Sequence, residues 1–324
     1  MGSQNRTLKY IDLETGAATD KQVSPLVLAL GNFDGVHMGH KILISKTAEI
    51  AANMSAMAGI FCFEKPPCDF LSSTPPKRIC TLDQKLKLAK ERGAGCAVLG
   101  DFPSMRDLEP AEFITLLQNQ MNCRAVVCGY NFRFGKGGKG GYNDLKKAFG
   151  ALAILIDKVT YEGEEISSTK IRELLLDGNV EKANQLLGHP YSVTGKVVRG
   201  KQLGRTLGLP TVNQFFADEL LIPRNGIYAS SCRIDGVTYR AVSNVGLRPT
   251  VEDSDKVNCE THIIGYNGDL YGRELRVEFF SRLRGERKFG SVEELRTAIS
   301  SDVENTNKYF DTLDMNSGRR ETTE

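Results

Sequence analysis

His37 and His40 stand three residues apart in the stretch VLALGNFDGVHMGHK, residues 27 to 41. An apolar run from Leu26 to Leu30 stops at Gly31, a short polar loop follows, and an apolar-periodic segment begins after Gly39. That pattern predicts a buried strand, a tight loop and a helix. Two imidazoles three apart at a helix start point to one side. The first turn adds free main-chain N–H groups and the positive end of the helix dipole, a natural seat for a phosphate. The spacing alone also fits a metal pair or two capping histidines.

Three further groups carry side chains able to do chemistry. In ISSTKIRELLLDG (166–178), Ser167 or Ser168 caps a helix that Gly178 stops, and Thr169 and Arg172 share a face of its first turn. An arginine there opposes the helix dipole and points to a nearby anion, although a solvated arginine fits the same spacing. In GRTLGLPTVN (204–213), Gly204 belongs to a turn that enters a strand. The hydroxyl of Thr211 and the amide oxygen of Asn213 are suited to a metal or a phosphate. Glu260, in NCETHIIGYNG, shares a face with Ile264 and Tyr266 by strand alternation. A carboxylate half-shielded there can take a proton from an alcohol; a solvated strand glutamate is the commoner case.

The elements that must position these residues fall into two textures. Apolar runs at 59–63, 96–100, 124–128 and 151–156 follow the opening strand, separated by helical stretches. Thr81 with Gln84 forms a capping box for a helix through Arg92, and Pro110 opens another that runs to Met121. Such alternation predicts a parallel sheet covered on both faces, with ligands at the carboxyl ends of its strands. Residues 1 to 25 should add one edge strand at most. From about residue 187 short β-rich segments take over, with hairpin signals at Asp235-Gly236 and Asn267-Gly268 and alternation of Leu275, Val277 and Phe279. One helix follows, boxed by Ser291 and Glu294, and the polar tail from Leu313 is expected to be disordered. The fold class expected is therefore α/β, a Rossmann-like domain over 1–185, plus a small antiparallel β-barrel over 186–312.

Composition bounds the function. With 40% hydrophobic and 25% charged residues the chain reads as soluble and globular, and a net charge of +2 argues against nucleic acid as a partner. No run is long enough to span a membrane, and the N-terminus has no apolar leader. Eight scattered cysteines without C-x-x-C point to reduced thiols and a cytoplasmic setting. The loop GYNFRFGKGGKGG contains a literal G-x-G-x-x-G, but FRF separates it from its strand and no helix starts at the third glycine, so the dinucleotide fingerprint is rejected. Asn131 and Arg133, with two lysines, instead make an electrostatic clamp or a mobile glycine–lysine loop.

Taken with those residues, GNFDGVHMGH resembles the H-x-G-H signature of the nucleotidyltransferase superfamily, and in detail the N-terminal module of the bacterial riboflavin kinase/FAD synthetase family. Gly129, Asn131, Phe132, Phe134 and Gly135 match a second segment of that family, SSTKIR a third, and PTVN with the segment around Glu260 the kinase signatures. Leu209 and Val212 replace the family's usual Phe and Ala. The resemblance implies two ATP-dependent reactions, riboflavin to FMN with release of ADP and FMN to FAD with release of pyrophosphate. It implies His37, His40, Arg172 and Glu260 as catalytic residues. Gly31, Phe33, Asp34, Gly35, Asn131, Ser168, Thr169, Gly204, Thr211 and Asn213 would contact nucleotide or phosphate. It also implies magnesium with ATP, through Thr211 and Asn213 in the kinase. Two rival readings stand beside it: a chain retaining one activity alone, and a non-catalytic flavin or nucleotide sensor.

Overall fold

The run Leu26–Leu30 is buried along its whole length, because it lies at the centre of a sheet whose two faces are both covered. The structure, a computed structural model, describes residues 8–19, 24–199, 209–247 and 257–318. The chain divides into two compact units, the first ending at Ser168 and the second starting at Thr169.

In the first unit the strands are β1 (Leu8–Asp12), β2 (Ala18–Thr19), β3 (Leu26–Leu30), β4 (Met57–Phe63), β5 (Cys96–Gly100), β6 (Cys123–Gly129) and β7 (Ala153–Ile156). They form one sheet in the order β2-β1-β5-β4-β3-β6-β7. The pairs β5-β4-β3-β6-β7 are parallel, and β1 runs antiparallel to β5. Strands β3 to β5 step one way across the sheet and β6 returns to the other side of β3. The strand order therefore reverses between β3 and β6, which is where sheets of this kind bind ligands. Leu30 pairs with Cys128, so the loops after Gly31 and after Gly129 leave the same end of the sheet side by side.

The N-terminal stretch carries two strands where the sequence predicts one at most. Leu8 and Tyr10 bury one face of β1 against the core, and the Asp12 carboxylate accepts from the N–H groups of Glu14 and Thr15. That turn, with Gly16 at φ +73°, folds β2 back as a two-residue edge. A small antiparallel pair, β8 (Thr160–Tyr161) with β9 (Glu164–Glu165), precedes the end of the unit.

In the second unit, β10 (Tyr191–Val198), β11 (Thr211–Phe215), β12 (Gly226–Ile234), β13 (Val237–Leu247), β14 (Val257–Ile263) and β15 (Glu274–Arg284) close a barrel in the order β10-β11-β14-β13-β12-β15. Leu275, Val277 and Phe279 point inward, as their alternation predicts. Polar side chains also face the interior: Ser243 Oγ lies 2.7 Å from Ser230 Oγ and 2.8 Å from Thr261 Oγ1. The Gln214 amide donates to the carbonyls of Gly195 and Leu275, both at 2.7 Å.

Asp235 and Gly236, both at positive φ, form the two-residue β12–β13 hairpin. Asn267-Gly268 does not form a hairpin. It lies in the connection from β14 to β15, which are not neighbours in the barrel. The helix Val180–Leu187 packs on β15 and β10 through buried Val180, Ala183, Leu186 and Leu187. Its Asn184 donates to Phe279 O at 2.8 Å and accepts from Tyr191 N at 2.7 Å. The terminal helix runs Val292–Gly318, past Leu313 where the sequence predicts a disordered tail. Arg240 explains part of this extension, with ion pairs to Asp311 (2.7 Å) and Asp314 (3.0 Å), three residues apart on one helix face. Among the described residues no helix is long and apolar enough to cross a membrane.

Candidate active sites

The first site is built on the loop that leaves β3. Gly31 N–H still bonds Phe61 O, and the chain then turns through Phe33, Gly35 and Val36, all at positive φ (53°, 76° and 41°). A β-branched residue in that region is strained, at about 1–3 kcal/mol, and persists only when its surroundings hold it. Phe33 and Val36 are fully buried in one apolar cluster with Leu43, Ile44 and Ile60, which supplies that hold. Strain of this kind gathers at functional sites.

Asp34 has a structural task in this loop. The residue is 6% exposed; its carboxylate accepts from Ile79 N at 3.0 Å and Cys80 N at 3.3 Å, and its carbonyl accepts from Ser168 Oγ at 2.9 Å. Gly35 N–H meets Cys80 Sγ at 3.2 Å. The segment around Cys80 and the residue Ser168 are thus fastened to the loop, and burial with the nearby Asp34 carboxylate pushes the Cys80 thiol up to about 12.

His37 caps the helix Met38–Asn53, its Nδ1 accepting from His40 N at 3.3 Å. A main-chain N–H can only donate, so this bond places the His37 ring proton on Nε2. The two rings stack with centroids 3.6 Å apart at 16°, and Phe33 meets His40 edge-on at 5.1 Å. Burial, then the neighbouring His37 and Lys85, hold His40 well below the ordinary imidazole value, and its Nδ1 is buried with no hydrogen-bond partner. The pair is therefore a neutral donor platform at a helix N-terminus, formed by the expected same-side arrangement. No cluster of three or more metal-ligating side chains occurs among the described residues.

Beside it, β6 ends in Gly129, and the following loop is anchored by Phe132, which stacks on Phe134, and by Phe134, which meets Phe113 at a tilt. Phe134 and Gly140 bridge, so the glycine–lysine loop is a closed turn with Asn131 and Arg133 exposed on it. Thr169 and Arg172 lie on the helix Ser168–Asp177, in the second compact unit.

The second site lies on the outer face of the barrel. Asn213 pairs directly with Glu260 across β11–β14, Thr211 pairs with His262, and Asn244 pairs with Glu260 from β13. Directly paired residues of an antiparallel ladder share a face. Asn258 Nδ2 donates to Asn213 Oδ1 at 3.0 Å and to Glu260 Oε1 at 3.2 Å. His262 Nδ1 donates to Pro210 O at 2.9 Å.

Glu260 keeps company with Asn258 and His262, not with Ile264 and Tyr266, because β14 ends at Ile263 and the alternation stops there. The oxygens Asn244 Oδ1 and Asn258 Oδ1 are buried without partners. A set of amide, hydroxyl and carboxylate oxygens with unsatisfied lone pairs fits a hard divalent cation such as magnesium. Gly204 lies outside the described residues. Sequence reading missed Asn258 and Asn244; alternation on the strand that carries Glu260 was the available signal for the first.

The comparisons match both halves of the chain. An FAD synthetase family model matches residues 19–170 and a riboflavin kinase model residues 187–310. The bifunctional riboflavin kinase/FMN adenylyltransferase of Listeria monocytogenes is 32% identical over 293 residues, covering 89% of this chain and 93% of the relative. The Escherichia coli K12 protein of the same description is 33% identical over 293 residues, with 88% and 92% covered. A crystal structure described as a macrolide-efflux protein from Streptococcus pneumoniae is similar throughout, with a TM-score of 0.81, 32% identity, and 88% of this chain and 95% of that one covered. With both halves matched in order and relatives aligned along nearly their whole length, this chain belongs to the bifunctional riboflavin kinase/FMN adenylyltransferase family.

Proposed function

We infer that the chain makes FAD from riboflavin in two steps, with one site in each half. The barrel transfers the γ-phosphoryl group of ATP to the 5′-hydroxyl of riboflavin, giving FMN and ADP. The parallel-sheet domain joins the FMN phosphate to the α-phosphorus of a second ATP, giving FAD and pyrophosphate. The observation that carries this reading is the pair of stacked, neutral imidazoles where the sheet order reverses, together with a separate oxygen-rich face on the barrel that holds Glu260.

In the first domain the nucleophile is a phosphate oxygen, already anionic, so no base is needed. His37 donates through Nε2–H to negative charge on the triphosphate, and the helix N-terminus beside it favours the same charge. Thr169 and Arg172 are assigned to the triphosphate as well. Asp34 acts through the main chain, holding the loop that carries the histidines.

In the barrel Glu260 takes the hydroxyl proton as the phosphoryl group arrives, and Asn258 orients its carboxylate. Thr211 and Asn213 would hold a divalent cation, which when bound neutralises charge on the transferred phosphoryl group. Eight cysteines that form no disulfide, and substrates of this chemistry, fit the cytoplasm.

The test is direct. Pure protein with riboflavin, ATP and magnesium should give FMN, then FAD, resolved by chromatography. A protein that forms neither product overturns the reading, and formation of FMN alone reduces it to a kinase.

A further inference from the structure

The helix Leu82–Glu91 turns Lys85, Leu88 and Ala89 into the protein. A lysine on that stripe is unexpected, and Lys85 is only 6% exposed. It makes no hydrogen bond or ion pair with any described residue. The helix packs against the Asp34–Val36 turn, with Leu88 and Ala89 in the same apolar cluster as Phe33 and Val36, so Lys85 stands beside the histidine loop, and its charge is felt by His40, Cys62 and Cys80. Cys62 follows Phe61, whose carbonyl receives the Gly31 N–H, so this is the level at which the histidine loop begins. The carboxylate of Asp34, in the same loop, already accepts main-chain N–H groups of Ile79 and Cys80.

A lysine whose side chain is nine-tenths buried and whose ammonium has no counter-ion is unfavourable unless something anionic completes it. On the adjoining loop His40 Nδ1 is buried and has no hydrogen-bond partner. His40 stacks on His37, the donor at the helix N-terminus, on the loop against which the Lys85 helix packs. We propose that Lys85 is a polyphosphate-binding residue of the adenylyltransferase site, and that the nucleotide's phosphates, retained as pyrophosphate after the reaction, are its missing counter-ion. A lysine suits this task as a point charge that needs no fixed fork geometry. The proposal rests on the adenylyltransferase reading and adds a residue to it. The simple alternative is an aliphatic stem packed on the core, with its head reaching for water.

The test uses the full chain, with Lys85→Met and Lys85→Arg. Affinity for magnesium pyrophosphate is measured by calorimetry, ligand-free stability by thermal unfolding, and FMN formation from riboflavin serves as the control in the same samples. The Met variant should lose about 10- to 100-fold in pyrophosphate affinity, the range for one charge-assisted contact. The KM for ATP in FAD formation should rise, and the ligand-free melting temperature should stay level or increase. The Arg variant should recover most of the affinity. Unchanged pyrophosphate binding in the Met variant overturns the proposal, as does a Met variant whose ligand-free protein is destabilised or unfolded, because that marks a structural lysine. A wild type that makes no FAD from FMN refutes the adenylyltransferase reading instead, and the pyrophosphate titration still decides the role of Lys85.

Discussion

Asn213 and Glu260 stand directly opposite each other in the β11–β14 ladder, and one amide, Asn258 Nδ2, donates to both. The residue assigned to the cation and the residue assigned to the proton are thus held by a single donor. The prediction for Glu260→Gln follows from this arrangement. Glutamine keeps the size and one acceptor oxygen but cannot take the riboflavin proton. FMN formation should fall by about 100-fold or more. Flavin binding, read by fluorescence quenching, should persist, and FAD made from supplied FMN should be unchanged. Normal kinase turnover in this variant sinks the assignment of Glu260 as base.

A division of the chain at residue 186, which the change of texture predicts, separates Asn184 from the barrel it serves. That side chain bonds both Tyr191 N and Phe279 O, and Val180 and Ala183 are fully buried beside it. We propose residue 169 as the better boundary, in line with the compact units. A fragment of residues 169–324 should fold and make FMN but no FAD. A fragment of residues 186–324 should be less stable by several kcal/mol, since it loses two partly buried hydrogen bonds and two buried apolar side chains. Urea unfolding compares them, and equal midpoints would refute the boundary.

What was legible in the sequence divides along one line: patterns give a face, and they do not give a neighbour. The run Leu26–Leu30 announces a strand buried on both faces, and spacing of three places His37 and His40 together, because both facts are local. The link from Asn258 to Asn213 spans 45 residues and exists only through strand register, so no local pattern contains it. Asn267-Gly268 carries hairpin chemistry, but the barrel order separates the strands on either side. Asp34 looks like a phosphate-loop residue, and only the fold shows its carboxylate turned to the main chain of Ile79 and Cys80.

His40 makes the stability of the first domain depend on pH. Burial, with His37 and Lys85 nearby, holds its folded value well below 6.5. Above about pH 6.5 the ring is neutral both folded and unfolded, and the full stability is present. As pH falls below that point the unfolded chain takes up a proton that the folded ring refuses. Stability therefore declines, by at most about 1.4 kcal/mol per pH unit from this group, until the folded value is reached. In His40→Gln this part of the slope should vanish. Denaturant unfolding at pH 7.5, 6.5 and 5.5 measures it, and identical slopes in both proteins would show that His40 protonates in the fold.

Gly39 separates the two histidines, and its lack of a side chain sets the position of the first. A Cβ at Gly39 would lie 3.2 Å from Cε1 and from Nδ1 of His37, closer than an ordinary contact. The His37 ring has little freedom to retreat, since its Nδ1 is bonded to His40 N and its face is stacked on the His40 ring. For Gly39→Ala the two halves of the effect point in opposite directions. Alanine favours a helix over glycine by about 1 kcal/mol, which offsets the crowding, so the melting temperature should change little. The His37 ring must shift by a few tenths of an ångström, carrying its Nε2 donor with it. Since about 1 Å of misplacement can cost about 100-fold, FAD formation should fall by roughly tenfold while FMN formation stays intact. Both rates and the melting temperature are measured on one preparation. A variant with an unchanged FAD rate would show that the position of His37 does not limit the reaction, whereas a parallel loss of both activities would mark a folding defect.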